Sequence, residues 1–399
     1  MISDENKRDN VDIPLAGEPE SPRRKRKRAG TAARRYPSIR RGVRPAVLIG
    51  CAVALAVVIG GAWWVLRTPG EAQSDAELDI VASPSGVNLP FRDGFLSVTS
   101  TGYTIYDGDG VSAGFRAASL PNPAALCTAK RFFAYSRGGT AILCADALHE
   151  IYSVTAPGSI LSASVNDRQE LAVVTDAEYH KGEITVYGSD GGVRFSYKAA
   201  DAYPYLCALS PEGEFLCAAL LTCTEEGDPA TAVYGFSLSQ GKITGSAVLP
   251  GETVCSIICN GAENITVITE KGVRLVDRTG EVTASFLPEQ AEVCRFAAGG
   301  ETVYLFCERK EPGAHYELFS VGTDCNVLGR RESETDCLFL CAGERNVAFY
   351  DGSRLTVLEG DLSTYALFPA DSACRDVMFG TDGRLCAILA SKVVFYVIE

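Results

Sequence analysis

At 399 residues and 46% hydrophobic content, the chain can bury a sizeable core and has room for one large domain or two ordinary ones. Its formal charge of −13 is unevenly spread, with a net +7 on residues 1–45 and −20 on residues 67–399. Three histidines and no Cys-x-x-Cys pair exclude the common zinc-site patterns.

Residues 1–22 are polar, rich in Asp, Glu and Pro, and without apolar period, so residues 1–45 are expected to form a disordered basic tail. Its positive charges crowd into Arg23 to Arg28 and then Arg34, Arg35, Arg40, Arg41 and Arg44. Directly after them, Ala46 to Leu66 holds no charged residue for 21 positions, long enough as a helix to cross a hydrocarbon core of roughly 30 Å. Ten of those residues are Val, Leu or Ile, which favours insertion by roughly 3 to 6 kcal/mol. A membrane helix over 46–66 is therefore expected, with Arg44, Trp63, Trp64 and Arg67 as interface anchors. Basic residues ahead of the helix place the N-terminus in the cytoplasm and the rest outside the cell membrane in a single pass. Such a cluster attracts anionic lipid headgroups, so lipid rather than nucleic acid is its expected partner. A cleaved signal peptide fits poorly, since the apolar run is too long and starts after 45 residues. Ala52, Ala56 and Gly60 form a small-xxx-small ladder that would permit helix pairing.

Residues 67–77 read as a linker, and residues 78–399 as an all-β domain of short alternating runs split by Gly, Asp-Gly and Pro turns. A unit recurs in it: apolar run, tight turn, second run, hairpin, third strand, turn and fourth strand. Its clearest copy spans Leu206 to Leu249. First turns fall near Asp93, Lys130, Asp167, Glu212, Ala262, Gly300, Glu344 and Asp382, a spacing of 37 to 50 residues that belongs to propeller blades. The expected fold is a β-propeller of eight four-stranded blades, or seven if two weak early copies merge. The last copy supplies three strands, so Leu78 to Ala82 is expected to add the fourth and close the ring, removing its open edges.

In period and strand order, these roughly 320 residues resemble WD-repeat-like and quinoprotein-like propellers. Basic tail, single anchor and Cys-containing outer propeller together resemble an uncharacterised clostridial membrane-anchored family, the domain of unknown function 5711. That resemblance implies a Gram-positive cell surface and brings no activity with it. Both tryptophans lie in the apolar segment, whereas sialidase Asp-boxes, quinoprotein docking motifs and WD signatures each lean on Trp.

Cys207 with Cys217, Cys294 with Cys307, and Cys374 with Cys386 each fall on the first two strands of one copy and could become cross-strand neighbours open to disulfide pairing, but the expectation is that they are small buried apolar side chains in tightly packed inner strands. The Tyr106–Gly110 segment, YDGDG, lacks the third aspartate and distal glutamate of a calcium loop and reads as a hairpin turn. No residue is assigned to catalysis or to a metal, and no cofactor is required.

Connections between second and third strands emerge on the same face as the links between blades. Three are long: residues 176–183, 222–231 and 308–315. The expected binding face therefore carries Tyr179, His180, Glu225, Glu226, Asp228, Glu308, Arg309, Lys310 and His315. The function expected from this layout is that of a non-catalytic module for a protein, peptide or cell-wall ligand, acting alone or within an envelope assembly. The alternative is a surface glycan hydrolase or lyase in which Glu225, Glu226 and Asp228 act as acid and base.

Overall fold

The computed structural model describes residues 86–398, apart from 261–263, 311–314, 370–373 and 381, together with Val58, residues 70–71 and residues 74–78. The chain divides into two units, residues 1–65 and 66–399, and the described strands all belong to the second. Apart from Val58, the apolar segment lies outside the described residues, as do Arg44, Trp63, Trp64 and Arg67. Among the described residues no helix is long and apolar enough to cross a membrane.

The second unit folds as an eight-bladed propeller of the WD40 and quinoprotein type. Blade 1 comprises Val87–Phe91, Gly94–Thr99, Gly102–Tyr106 and Ser112–Ala117, joined antiparallel in that order. Blade 2 follows at Pro123–Cys127, Phe132–Ser136, Ala141–Ala145 and Glu150–Thr155, and blade 3 at Ile160–Val165, Leu171–Thr175, Gly182–Tyr187 and Val193–Ala199. Blade 4 has the longest strands, Tyr203–Leu209, Phe215–Cys223, Pro229–Ser237 and Lys242–Pro250. Blade 5 holds Val254–Cys259, Asn264–Thr269, Gly272–Asp277 and Val282–Phe286, and blade 6 holds Ala291–Gly299, Thr302–Arg309, Tyr316–Gly322 and Val327–Ser333. In blade 7, Phe339–Ala342, Asn346–Tyr350, Arg354–Glu359 and Thr364–Pro369 gain a parallel fifth strand, Gly70–Glu71, outside the fourth.

Blade 8 closes the ring as the strand count requires. Its own three strands are Cys374–Phe379, Leu385–Leu389 and Val393–Tyr396, and the fourth is Ser74–Leu78, antiparallel to the last. Of the expected Leu78–Ala82 strand, Leu78 is in place and residues 79–82 lie outside the described residues; along Ser74–Leu78 the side chains alternate. Leu78, opposite Val393, is buried against Phe95, Cys386, Ile388 and Phe395, while Glu77 points outward to Lys392 Nζ at 2.8 Å. The opening strands of blades 1 and 8 also touch, so the ring meets on its inner side as well.

Each core lies between two neighbouring blades, because a strand buried on both faces shows neither to water. Phe132 of blade 2 packs edge-on to Tyr103 of blade 1 at 4.9 Å between ring centres, and Phe236 of blade 4 meets Tyr197 of blade 3 at 4.9 Å. Around the rim, the fourth strand of one blade meets the third-to-fourth turn of the next. Gly245 shows how tight this is: a Cβ there would lie 2.3 Å from the Thr279 carbonyl carbon, so only glycine fits. Many of these turns are held by an aspartate whose Oδ1 accepts backbone N–H groups: Asp107, Asp146, Asp190, Asp277, Asp324 and Asp361. In the YDGDG segment, Asp107 is such a residue, taking the N–H of Val111 at 2.8 Å, so the segment is a hairpin turn.

Candidate binding face

The three long connections are second-to-third-strand links of blades 3, 4 and 6, and antiparallel topology puts them on one face with the inter-blade links. In blade 3 the connection leaves Thr175 and returns at Gly182. It is tied down where Asp176 accepts the Ser159 N–H and where the Lys181 N–H reaches the Ala199 carbonyl at 2.9 Å. Tyr179, at its tip, is 84% exposed, and His180 is exposed beside it.

In blade 4 the strands run further, so only Thr224 to Asp228 remains as a turn, closed by the Thr224 N–H to the Asp228 carbonyl at 2.8 Å. Glu225, Glu226 and Asp228 are all exposed on it. All three stand open to water on the turn, and among the described residues no enclosing pocket surrounds them in which a substrate bond would be held between two carboxylates. The base of this hairpin is rigid. Thr231 is fully buried and donates to the Glu252 carbonyl at 2.8 Å. The Glu252 carboxylate is gripped by Arg274 through both Nε, at 2.9 Å, and Nη2. Burial pushes the Glu252 carboxyl up, but the Arg274 hydrogen bonds and charge outweigh it and hold the pKa below its usual value.

In blade 6, Glu308 and His315 are exposed at the two ends of the connection, and residues 311–314 lie outside the described residues. Lys310 pairs with Glu292 at 2.5 Å, while half-buried Arg309 turns inward to Glu317, its Nε 3.8 Å from Oε2. Glu317 is 3% exposed and also bound by Arg330, so Arg309 belongs to the support of the loop rather than to its surface. Tyr179, His180, Glu225, Glu226 and Asp228 thus sit on adjacent blades, whereas Glu308, Lys310 and His315 stand beyond blade 5.

Between the first two connections lies a surface that reading the loops alone overlooks. Tyr203 and Leu221 face each other across the first two strands of blade 4 and are 55% and 46% exposed. Lys181 lies 4.7 Å over the Tyr203 ring, which joins this pair to the blade 3 loop. The contact is enforced by backbone: a Cβ on Gly182 would meet the Pro204 ring at 2.6 Å. Leu161, the extra residue of a β-bulge at the start of the first strand of blade 3, is 49% exposed at the same end. The corresponding bulge positions are Tyr205 in blade 4, Cys255 in blade 5, Cys294 in blade 6 and Arg375 in blade 8. Only the bulges would have betrayed Leu161, since it looks like a core residue in an alternating strand.

A cleft of about 380 Å³ opens on this face between blades 6 and 7, lined by Arg331, Glu332, Glu334, Asp351 and Arg354 among others. Its charges are partly committed: Arg331 donates to Thr364 Oγ1 at 2.6 Å, and Asp351 Oδ1 accepts the N–H groups of Ser353 and Arg354. Among the described residues no three His, Cys, Asp or Glu side chains converge as a metal-binding group.

Cys207, Cys217, Cys307 and Cys386 are buried as packing groups, and strand register sets which thiols face each other. The described cysteines carry no disulfide. Cys207 pairs with Ala218 and Cys217 with Ala208, one step out of line, so the two thiols point to opposite faces of the sheet. Cys307 lies opposite Val293, and Cys294 is pushed out by the bulge beside it to bond the Glu292 carbonyl. Cys386 lies opposite Met378, whereas Cys374 lies opposite Leu389 at the other end of the strand.

Comparisons place this geometry among known proteins. Residues 71–362 match a family described as "Family of unknown function (DUF5711)". No curated protein matches the sequence. Among solved structures, BamB from Moraxella catarrhalis is 12% identical with a TM-score of 0.54, covering 82% of this chain and 99% of its own. The C-terminal WD40 domain of Sif2 is 8% identical with a TM-score of 0.60, covering 83% and 99%. Quinohemoprotein alcohol dehydrogenase from Comamonas testosteroni is 11% identical with a TM-score of 0.55, covering 84% and 77%. One architecture thus serves a WD40 domain and a dehydrogenase, and it does not choose a function for this chain.

Proposed function

The chain belongs to the DUF5711 family, and from that premise we propose that it is a membrane-anchored extracytoplasmic propeller that binds a protein, peptide or cell-wall ligand without catalysis. The observation that carries this reading is the coincidence of exposed apolar side chains with long loops. Leu161, Tyr179, Tyr203 and Leu221 are presented on adjacent blades of a closed scaffold. Tyrosines held on rigid backbone offer large contact area at small entropic cost, the usual make-up of a binding hot spot. Exposed Glu178, Glu225, Glu226 and Asp228 lie in the flanking connections and favour a ligand with basic groups around an apolar centre. The uncharged stretch 46–66 behind a basic tail supports the anchor and its orientation, and lipid as the partner of the tail.

The test is to purify the full chain from its native envelope in mild detergent and measure co-purifying proteins and glycans, beside a Tyr179→Ala/Tyr203→Ala variant. Loss of an enriched partner in the variant supports the reading. An unchanged set of partners overturns the assignment of this face. Release of glycan fragments by the wild type that stops in Glu225→Gln would replace binding by hydrolysis or lysis.

A further inference from the structure

Cys217 sits on the second strand of blade 4 and Cys259 ends the first strand of blade 5, and their sulfur atoms lie 3.2 Å apart across the blade interface. Both are buried, 2% and 5% exposed, in one apolar cluster with Ala208, Val254, Ile257 and Ile265. We propose that Cys217 and Cys259 form a disulfide that staples blade 4 to blade 5. A disulfide holds its sulfurs at about 2.05 Å, so roughly 1.1 Å of approach completes the bond, within reach of small side-chain rotations. The strand register that turns Cys207 away from Cys217 is what turns Cys217 toward the next blade.

The reaction is thiol–disulfide exchange with a small-molecule disulfide such as oxidised glutathione, or with an oxidised protein dithiol. One thiolate attacks the donor disulfide and releases one thiol. The second then attacks the mixed disulfide, releasing the other as the Cys217–Cys259 bond forms. Two electrons pass to the donor, and two protons leave the chain's thiols. The hydrogen bond to Cys259 and burial both hold the Cys217 thiol well above its ordinary pKa, so exchange belongs to folding, before the interface closes. The staple lies at the end of blades 4 and 5 where their first strands end and their second strands begin, away from the long loops. It therefore concerns the scaffold and goes beyond the binding role.

The experiment uses the full chain in detergent, reduced, unfolded and refolded with mixed oxidised and reduced glutathione. Remaining thiols are then alkylated, and the chain is cut at Lys and Arg. Residues 199–242 hold Cys207, Cys217 and Cys223, and residues 243–271 hold Cys255 and Cys259, so the staple links these two peptides. The expected result is a linked pair that survives Cys207→Ala, Cys223→Ala and Cys255→Ala and disappears in Cys217→Ala and in Cys259→Ala. Closing a loop of this length raises Tm by on the order of 5 °C, a gain that added reductant removes. Absence of the linked pair, or its persistence in Cys217→Ala or Cys259→Ala, would overturn the proposal.

Discussion

Substituting Leu78 by alanine tests whether the closing strand holds the ring. Leu78 is 6% exposed and fills the space between Phe95 of blade 1 and Cys386, Ile388, Val393 and Phe395 of blade 8. Removing its three outer carbons forfeits about 2 kcal/mol of burial at ~0.8 kcal/mol per carbon, and the cavity left between two packed sheets adds about 1 kcal/mol. Glu77→Ala on the same strand is the control. It removes only an exposed pair with Lys392, which contributes less than about 1 kcal/mol. With a urea dependence of about 3 kcal/mol/M for a domain of this size, Leu78→Ala should lower the unfolding midpoint by about 1 M and Glu77→Ala by less than about 0.3 M. Equal, small shifts in the two variants would refute closure by Ser74–Leu78 as a source of stability.

Glu252→Ala should destabilise by about 3 kcal/mol, because Arg274, itself largely buried, is left without its carboxylate; calorimetry of the variant checks this. Glu252, Asp146 and Asp351 have folded-state pKa values below their ordinary ones. Their contribution is complete above the ordinary carboxyl range near pH 4 and is lost as pH falls through the folded values, so urea midpoints should drop in acid and drop less in Glu252→Gln. Burial pushes the Cys207 and Cys307 thiols up to about 12. Stability is therefore undiminished below about pH 8.5 and lost as pH rises toward 12, by up to roughly 1.4 kcal/mol per pH unit for each thiol, and Cys307→Ala should flatten that alkaline slope. Gly245→Ala should cost more than about 2 kcal/mol, since its Cβ would strike the Thr279 backbone; a thermal midpoint equal to wild type would contradict the tight contact between blades 4 and 5.

Much of the scaffold was legible in the sequence, since a blade is a local unit. In blades 1 to 7 the four main strands are consecutive, their alternation is written in neighbouring residues, and the tight turns near Asp93, Asp167, Glu212 and Gly300 fall between the first two strands as the period requires. The need for a borrowed fourth strand also followed from counting. Which side chains meet across blades did not follow, because that depends on register and bulges. A one-residue step sends Cys217 to Cys259 instead of Cys207, and a bulge exposes Leu161 although its pattern reads as core. Likewise the loops announced themselves by length, yet Tyr203 and Leu221 join them only because Pro204 packs on Gly182. Sequence period determined blades 1 to 7, as the four main strands of each are joined by hydrogen bonds between chain neighbours. Tertiary structure alone decided which side chains meet across blades, Cys217 with Cys259 and Lys181 with Tyr203, since no local pattern encodes contacts between blades.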